Sequence, residues 1–352
     1  MKLPNINEIQ YKSTGKGWSN LANVRIVSTE VYHPAYKVSN EELAVQAGEA
    51  AGKLIGIWEY FGRKDRYYAE SYEESTLFMG IEAAKALLQK NGLTGKDLDM
   101  IVFSSGTHDF SAPTDAALVH QALEGKETCI VYDSNANCVG MVVAADQAAR
   151  SIITNPKVRY ALIVGSEQIA RFYKEGDLAS KGLCGDAACA VLLERVEETE
   201  CGLIDSAYYT NTQKAEDMLF PSGGMTQIFG EHMTFEEKKI YLHPEYNVNV
   251  AFPTAVTNIE MLLREHGLQK SDITHYILSQ LNLSVIQEIA GNLQEDIAKF
   301  PYIGDIYGYT GTSSPFITLH HALKDGTLVP GDLFVLWSVG AGITSCATLW
   351  KL

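Results

Sequence analysis

Long hydrophobic runs are missing from this chain. No apolar stretch approaches the length needed to cross a bilayer, and Met1-Lys2-Leu3-Pro4-Asn5-Ile6 opens without the apolar core of a secretory signal. Positive charge is scarce. Lys and Arg number 28 against 43 Asp and Glu, a formal net charge of −15, and no basic cluster offsets it. That balance argues against a nucleic-acid partner and requires any anionic carrier or cofactor to meet a local basic patch. Cysteines are few. Cys129, Cys138, Cys184, Cys189, Cys201 and Cys346 mostly sit inside apolar runs without metal-ligand spacing, which fits reduced thiols better than a disulfide framework. No other cluster has metal spacing, and Gly165-Ser166-Glu167 lacks the context of a dinucleotide loop. The expectation is a cytoplasmic protein without membrane, nucleic-acid or metal chemistry and with no tightly bound cofactor.

What is present is ordinary globular material, 46% hydrophobic and 20% charged over 352 residues. That length holds two core-forming units or one large α/β domain. Residues 1–22 are polar and read as an N-terminal extension. Val24 to Tyr32 alternates like a strand, and Leu77 to Leu88 is helical in pattern, followed by Gly92 and a strand at Met100 to Phe103.

That unit recurs. Leu87-Leu88-Gln89-Lys90-Asn91-Gly92-Leu93 through Ser105 aligns without gaps on Leu262-Leu263-Arg264-Glu265-His266-Gly267-Leu268 through Gln280. Tyr160 to Ser166 resembles Leu333 to Gly340, and Ala188 to Leu192 resembles Ser345 to Leu349. Three echoes in one order imply two similar α/β halves, about 23–200 and 201–352, with sheets in the middle and helices inside and outside. Strand ends from both halves then converge, and the repeat nominates Ser279, Gln280 and Asn282 as neighbours of whatever the first half offers.

The first half offers Cys138. Cys129-Ile130-Val131-Tyr132 reads as a buried strand, and Met141 to Ile153 is Ala-rich with helical spacing. A Cys between them sits at a helix N-terminus, where the dipole and free N–H groups favour a thiolate and could hold an oxyanion. A buried, inert Cys is the plain alternative.

The motifs resemble those of the thiolase-fold condensing enzymes, most closely the 3-oxoacyl-acyl-carrier-protein synthase III type. Asp133-Ser134-Asn135-Ala136-Asn137-Cys138-Val139-Gly140 is similar to the family's nucleophile motif, with Asn137 where a small residue is usual. Thr107-His108-Asp109-Phe110, Cys184-Gly185-Asp186-Ala187-Ala188, Phe220-Pro221-Ser222-Gly223-Gly224 and Val339-Gly340-Ala341-Gly342-Ile343-Thr344 resemble four further family stretches. The resemblance implies a duplicated, layered αβαβα fold and an acyltransferase that loads Cys138 from a coenzyme A or carrier-protein thioester. It also implies a second oxyanion-hole N–H at Gly342, and Phe110 at a partner subunit's acyl pocket. Trp58, with Arg63 and Arg66, resembles the family's coenzyme A site, and Asn282 belongs to the same set.

Two departures stand out. The family's H-Q-A-N reads Ser279-Gln280-Leu281-Asn282, so Ser279 replaces the catalytic His; its G-N-T-S reads Gly308-Tyr309-Thr310-Gly311, so Tyr309 replaces the catalytic Asn. A Ser hydroxyl has no pKa near neutrality to serve as acid or base, while a phenol still donates a hydrogen bond. Decarboxylative condensation is therefore in doubt, whereas transfer to an activated acceptor in fatty-acid or polyketide-type metabolism asks less of these positions. The alternative is a degenerate auxiliary subunit paired with an active paralogue, against a homodimer that uses acyl carrier protein or coenzyme A thioesters. His320-His321 stands as a candidate rescuing base, and Tyr241 to Phe252 as an acyl-tunnel wall.

Overall fold

The structure, a computed structural model, describes residues 22–197 and 200–352. The extension expected over 1–22 therefore lies, but for Ala22, outside the described residues. Two larger sheets organise the chain. The first holds β1 (Asn23–Tyr32), β2 (Met100–Ser104), β3 (Ile130–Ser134), β4 (Tyr160–Glu167) and β5 (Ala187–Val196), in the order β1-β5-β4-β2-β3. The second holds β6 (Gly202–Thr210), β7 (Ile273–Leu278), β8 (Leu333–Gly340) and β9 (Thr344–Lys351), in the order β6-β9-β8-β7. In each, a parallel pair (β4 with β2, β8 with β7) is followed by two antiparallel neighbours. β3 is the addition, parallel to β2 at the edge of the first sheet.

The repeat read from the sequence reappears as conformation. Helix α1 (Thr76–Lys90) ends at Asn91 and Gly92, whose φ of 64° gives the left-handed turn that glycine adopts without strain. A capping box of Thr94 and Asp97 then opens a short 3-10 turn before β2. In the second segment the chain does the same, because the same residue types recur. Its helix (Pro253–Glu265) ends before Gly267 at φ 65°, and Gln269 and Asp272 form the box that leads into β7.

Helix α2 (Asp115–Ala122) packs with α1 on the outer face of the first sheet. Between the sheets lie α3 (Gly140–Thr154) and, from the second segment, Ser314–Lys324. With α4 taken as Pro253–Glu265 and α5 as Leu283–Leu293, that last helix is α6. The strands alternate to serve both sides. Ala161 and Ile163 of β4, and Phe334 and Leu336 of β8, face the central helices; Leu162 and Val164 face α1 and α2, while Val335 and Trp337 face α4 and α5. Both faces of each sheet are thus buried, which explains the near-continuous apolar strands. The result is the layered αβαβα fold of the thiolase type. β3 departs from expectation: as an edge strand it is only half-buried, and Ile130 is exposed.

Candidate functional site

The nucleophile turn comes from local geometry. β3 delivers Asp133 and Ser134, and the chain reverses through Asn137, whose φ is 53°. Asn tolerates the left-handed region better than most side chains, which explains the residue that replaces the small one of the family pattern. The Asn137 N–H donates to Asn135 Oδ1 at 3.0 Å. Cys138 then lies in a short 3-10 turn, Asn137–Val139, that runs directly into α3. A Cβ on Gly140 would stand 2.5 Å from Ser104 Oγ, so glycine lets the helix start against β2. The second segment grips the same turn. Ser338 Oγ donates to the Cys138 carbonyl at 2.7 Å, and Thr312 Oγ1 accepts the Met141 N–H at 2.7 Å. Gly340 approaches so closely that a Cβ there would lie 2.6 Å from Ala136 O.

Cys138, Ser279, Tyr309 and Gly342 all line one cavity of about 430 Å³. Ser279 continues from the end of β7, is 1% exposed, and its Oγ meets no partner at hydrogen-bond geometry. Tyr309 is 5% exposed and is held from behind: its N–H donates to Leu183 O at 2.8 Å and its carbonyl accepts the Gly185 N–H at 3.0 Å. That pairing places Cys184 beside it. Gly342, at φ 80°, forms the β8–β9 turn with Ile343. The phenol does not fill the site. Ile169, Leu242, Phe252 and Leu281 wall the space beyond the sulfur, and residues 242–252 contribute much of the lining.

The electrostatics overturn one expectation. Burial, and then the carboxylate of Glu167, push the Cys138 thiol up to about 12; the Tyr309 hydroxyl and its own N–H pull it back only in part. A helix N-terminus is present, yet desolvation in an apolar cavity outweighs it. Tyr309 is raised well above the ordinary phenol value, first by burial and then by Cys138. The histidine pair of α6 is turned elsewhere: His320 Nδ1 meets Thr29 (3.1 Å to Oγ1), and His321 Nε2 meets the Tyr307 hydroxyl at 3.0 Å, while His243 lines the cavity and its Nδ1 accepts the Glu245 N–H at 3.2 Å. The candidate rescuing base at 320–321 is thereby corrected, since both rings pack against β1 and the Tyr307 region.

The coenzyme A residues are corrected too. Trp58, Arg63 and Arg66 are fully buried. Trp58 donates its ring N–H to Ala179 O and lies under the Arg66 guanidinium. Arg63 spends its donors on Leu183, Gly304, Gln280 and Leu281 carbonyls, with the Tyr302 hydroxyl a further contact. Arg66 holds Gly182 O and Asn40 Oδ1. Every one of these groups faces protein, so none presents itself to an adenine or a phosphate. Asn282 caps α5: its Oδ1 accepts from the Ser284 N–H and hydroxyl, and its amide donates to Asn249. Gln280 likewise braces residues 301–303.

Phe110 stands 50% exposed outside the cavity of this chain. Near it, His108 Nδ1 lies 3.1 Å from Asp115 and 3.5 Å from Asp133. Burial pulls this imidazole down, but the Asp115 bond and the Asp133 charge win and raise it. Both carboxylates also accept backbone N–H groups, Asp115 from residues 109 and 110, Asp133 from 115 and 116, so the group reads as a knot that fixes the 108–116 loop. Sequence reasoning missed Glu167. At the end of β4 it accepts from the Gly106 N–H and the Thr107 hydroxyl, and burial raises its pKa. Its signal was a lone carboxylate closing an apolar strand run, which the repeat with residues 333–340 does not contain.

Comparison with known proteins agrees with this geometry. Residues 132–212 match the family described as 3-oxoacyl-(acyl-carrier-protein) synthase III, and residues 263–352 match the family described as its C-terminal part. A beta-ketoacyl-(acyl-carrier-protein) synthase III from Erythrobacter litoralis is 30% identical over 324 residues, covering 90% of this chain and 95% of its own length. One from Clostridium perfringens is 27% identical over 332 residues, covering 94% and 100%. The crystal structure of 3-oxoacyl-(acyl-carrier-protein) synthase III from Aquifex aeolicus superposes with a TM-score of 0.81 at 25% identity, covering 94% of this chain and 100% of that one. The chain belongs to the 3-oxoacyl-(acyl-carrier-protein) synthase III family.

Proposed function

We propose that this chain is an acyltransferase of the condensing-enzyme class that loads an acyl group on Cys138 and passes it to an acceptor in fatty-acid or specialised-metabolite biosynthesis. The observation that carries this reading is the shared cavity: Cys138 at the head of α3 opens on an apolar space together with Ser279, Tyr309 and Gly342. In the first step the Cys138 sulfur attacks the carbonyl carbon of a coenzyme A or carrier thioester. The oxyanion forms between the N–H groups of Cys138 and Gly342. Its collapse breaks the bond to the donor sulfur, and the donor leaves as a free thiol with the proton that Cys138 gave up. In the second step the acceptor repeats the attack on the Cys138 thioester.

Ser279 and Tyr309 each offer one neutral hydroxyl donor to a thioester carbonyl, in place of an imidazole and an amide. They can steady developing negative charge, but neither acts as a base near pH 7. Acceptors that arrive already activated suit this pair best. The open space beyond the sulfur supports an enzyme over an auxiliary subunit, which has no need of such a cavity. Mixing the protein with octanoyl-coenzyme A and quantifying free coenzyme A by chromatography tests the first step. We expect a burst approaching one equivalent per chain that disappears in Cys138→Ala; release that is equal in both proteins contradicts the reading.

A further inference from the structure

The cavity wall is not plain hydrocarbon. Tyr173 and Tyr246 line it with Tyr309, and burial is the first cause that raises the pKa of each phenol. All three line the same cavity as the Cys138 sulfur. Tyr309 faces the cavity with Cys138 and Ser279. Tyr173 and Tyr246 are different: among the described residues their hydroxyls have no hydrogen-bond partner.

Both residues are only partly buried and their hydroxyls open on the cavity, so a chain of pure hydrocarbon seated against them would cut the phenols off from solvent without offering an acceptor, which is costly. We propose that the cavity selects an acyl group carrying a neutral oxygen substituent, hydroxy or oxo, over the plain alkyl chain of the same length. A site built around buried hydrogen-bonding groups discriminates strongly against the analogue that lacks the partner atom. A carboxylate is a poor occupant, because the lining holds one Lys and no Arg, and that Lys214 is half-exposed and 4.0 Å from Asp217. This inference deepens the acyl-transfer reading and rests on it for the identity of the occupant.

The test is calorimetric titration of the Cys138→Ala protein, in which transfer cannot proceed. The ligands are octanoyl-coenzyme A, its counterparts hydroxylated near, midway along or far from the thioester, and a chain of that length ending in a carboxylate. One hydroxylated chain should bind about tenfold tighter than octanoyl, the size expected of hydrogen bonds newly satisfied. Adding Tyr173→Phe or Tyr246→Phe should bring that ratio toward one, and the two together should abolish it. Equal affinities, a preference for the carboxylate, no measurable binding of the hydroxylated chains, or a ratio that survives both substitutions would overturn the proposal. Loss of the coenzyme A burst in the native protein sinks the transfer reading instead, and leaves the affinity ratio to be judged by itself.

Discussion

At the residue scale the site centres on a sulfur whose surroundings resist its ionisation. The thiol of Cys138 is pushed up to about 12, burial first and Glu167 second. A raised thiol is neutral below that value, so its thiolate fraction climbs roughly tenfold with each pH unit through the neutral and mildly alkaline range. Alkylation of Cys138 by iodoacetamide, followed by peptide mass spectrometry to separate it from Cys129 and Cys201, should rise about tenfold per unit from pH 7 to pH 9. A rate that levels off near pH 7 contradicts this. Legibility at this scale was uneven. Cys138 was readable because a strand, a turn and an Ala-rich helix meet there, and Ser279 because the repeat aligns it with a strand end. The acidity was not readable. It depends on Glu167 and on an apolar enclosure built by residues far away in sequence, which no local pattern carries.

Elements explain why the wrong residues looked functional. Trp58, Arg63 and Arg66 form an aromatic and basic group, and from sequence such a group fits a phosphate site as well as it fits a strut. The structure makes it a strut. Arg63 ties the Phe61 region to residues 183, 280–281 and 304, the segments that carry Ser279 and Tyr309 into place. Arg63→Lys keeps the charge and loses the planar fork, leaving several buried carbonyls unpaired. We expect a loss of about 2–4 kcal/mol, read as a lower urea midpoint at unchanged slope. Stability unchanged by this substitution contradicts the strut. The same logic holds for Asn282, whose seat before α5 is legible as a helix cap once the helix start is known. What was well readable was the unit of helix, closing Gly and strand, because each of its signals is local.

For the whole molecule, the duplication into two similar α/β halves was legible from the internal repeat, while the strand order of each sheet was not, since it depends on pairings between segments distant in sequence. β3 ends the first sheet as a half-buried edge, Ile130 is exposed on it, and Phe110 stands out from the neighbouring loop. An unpaired edge with apolar side chains is a surface that proteins normally cover. We expect light scattering to give twice the chain mass of 38.7 kDa, and Phe110→Asp to shift the protein toward the single-chain mass; a native monomer at micromolar concentration contradicts a homodimer. Above all these scales stands the assignment of Cys138 as the atom that receives the acyl group. Incubation with octanoyl-coenzyme A, quenching in acid and peptide-resolved mass spectrometry tests it most directly. We expect an octanoyl increment confined to the peptide that contains Cys138 and removed by neutral hydroxylamine. An unmodified Cys138 peptide, or the increment on Cys184 or another thiol, contradicts it.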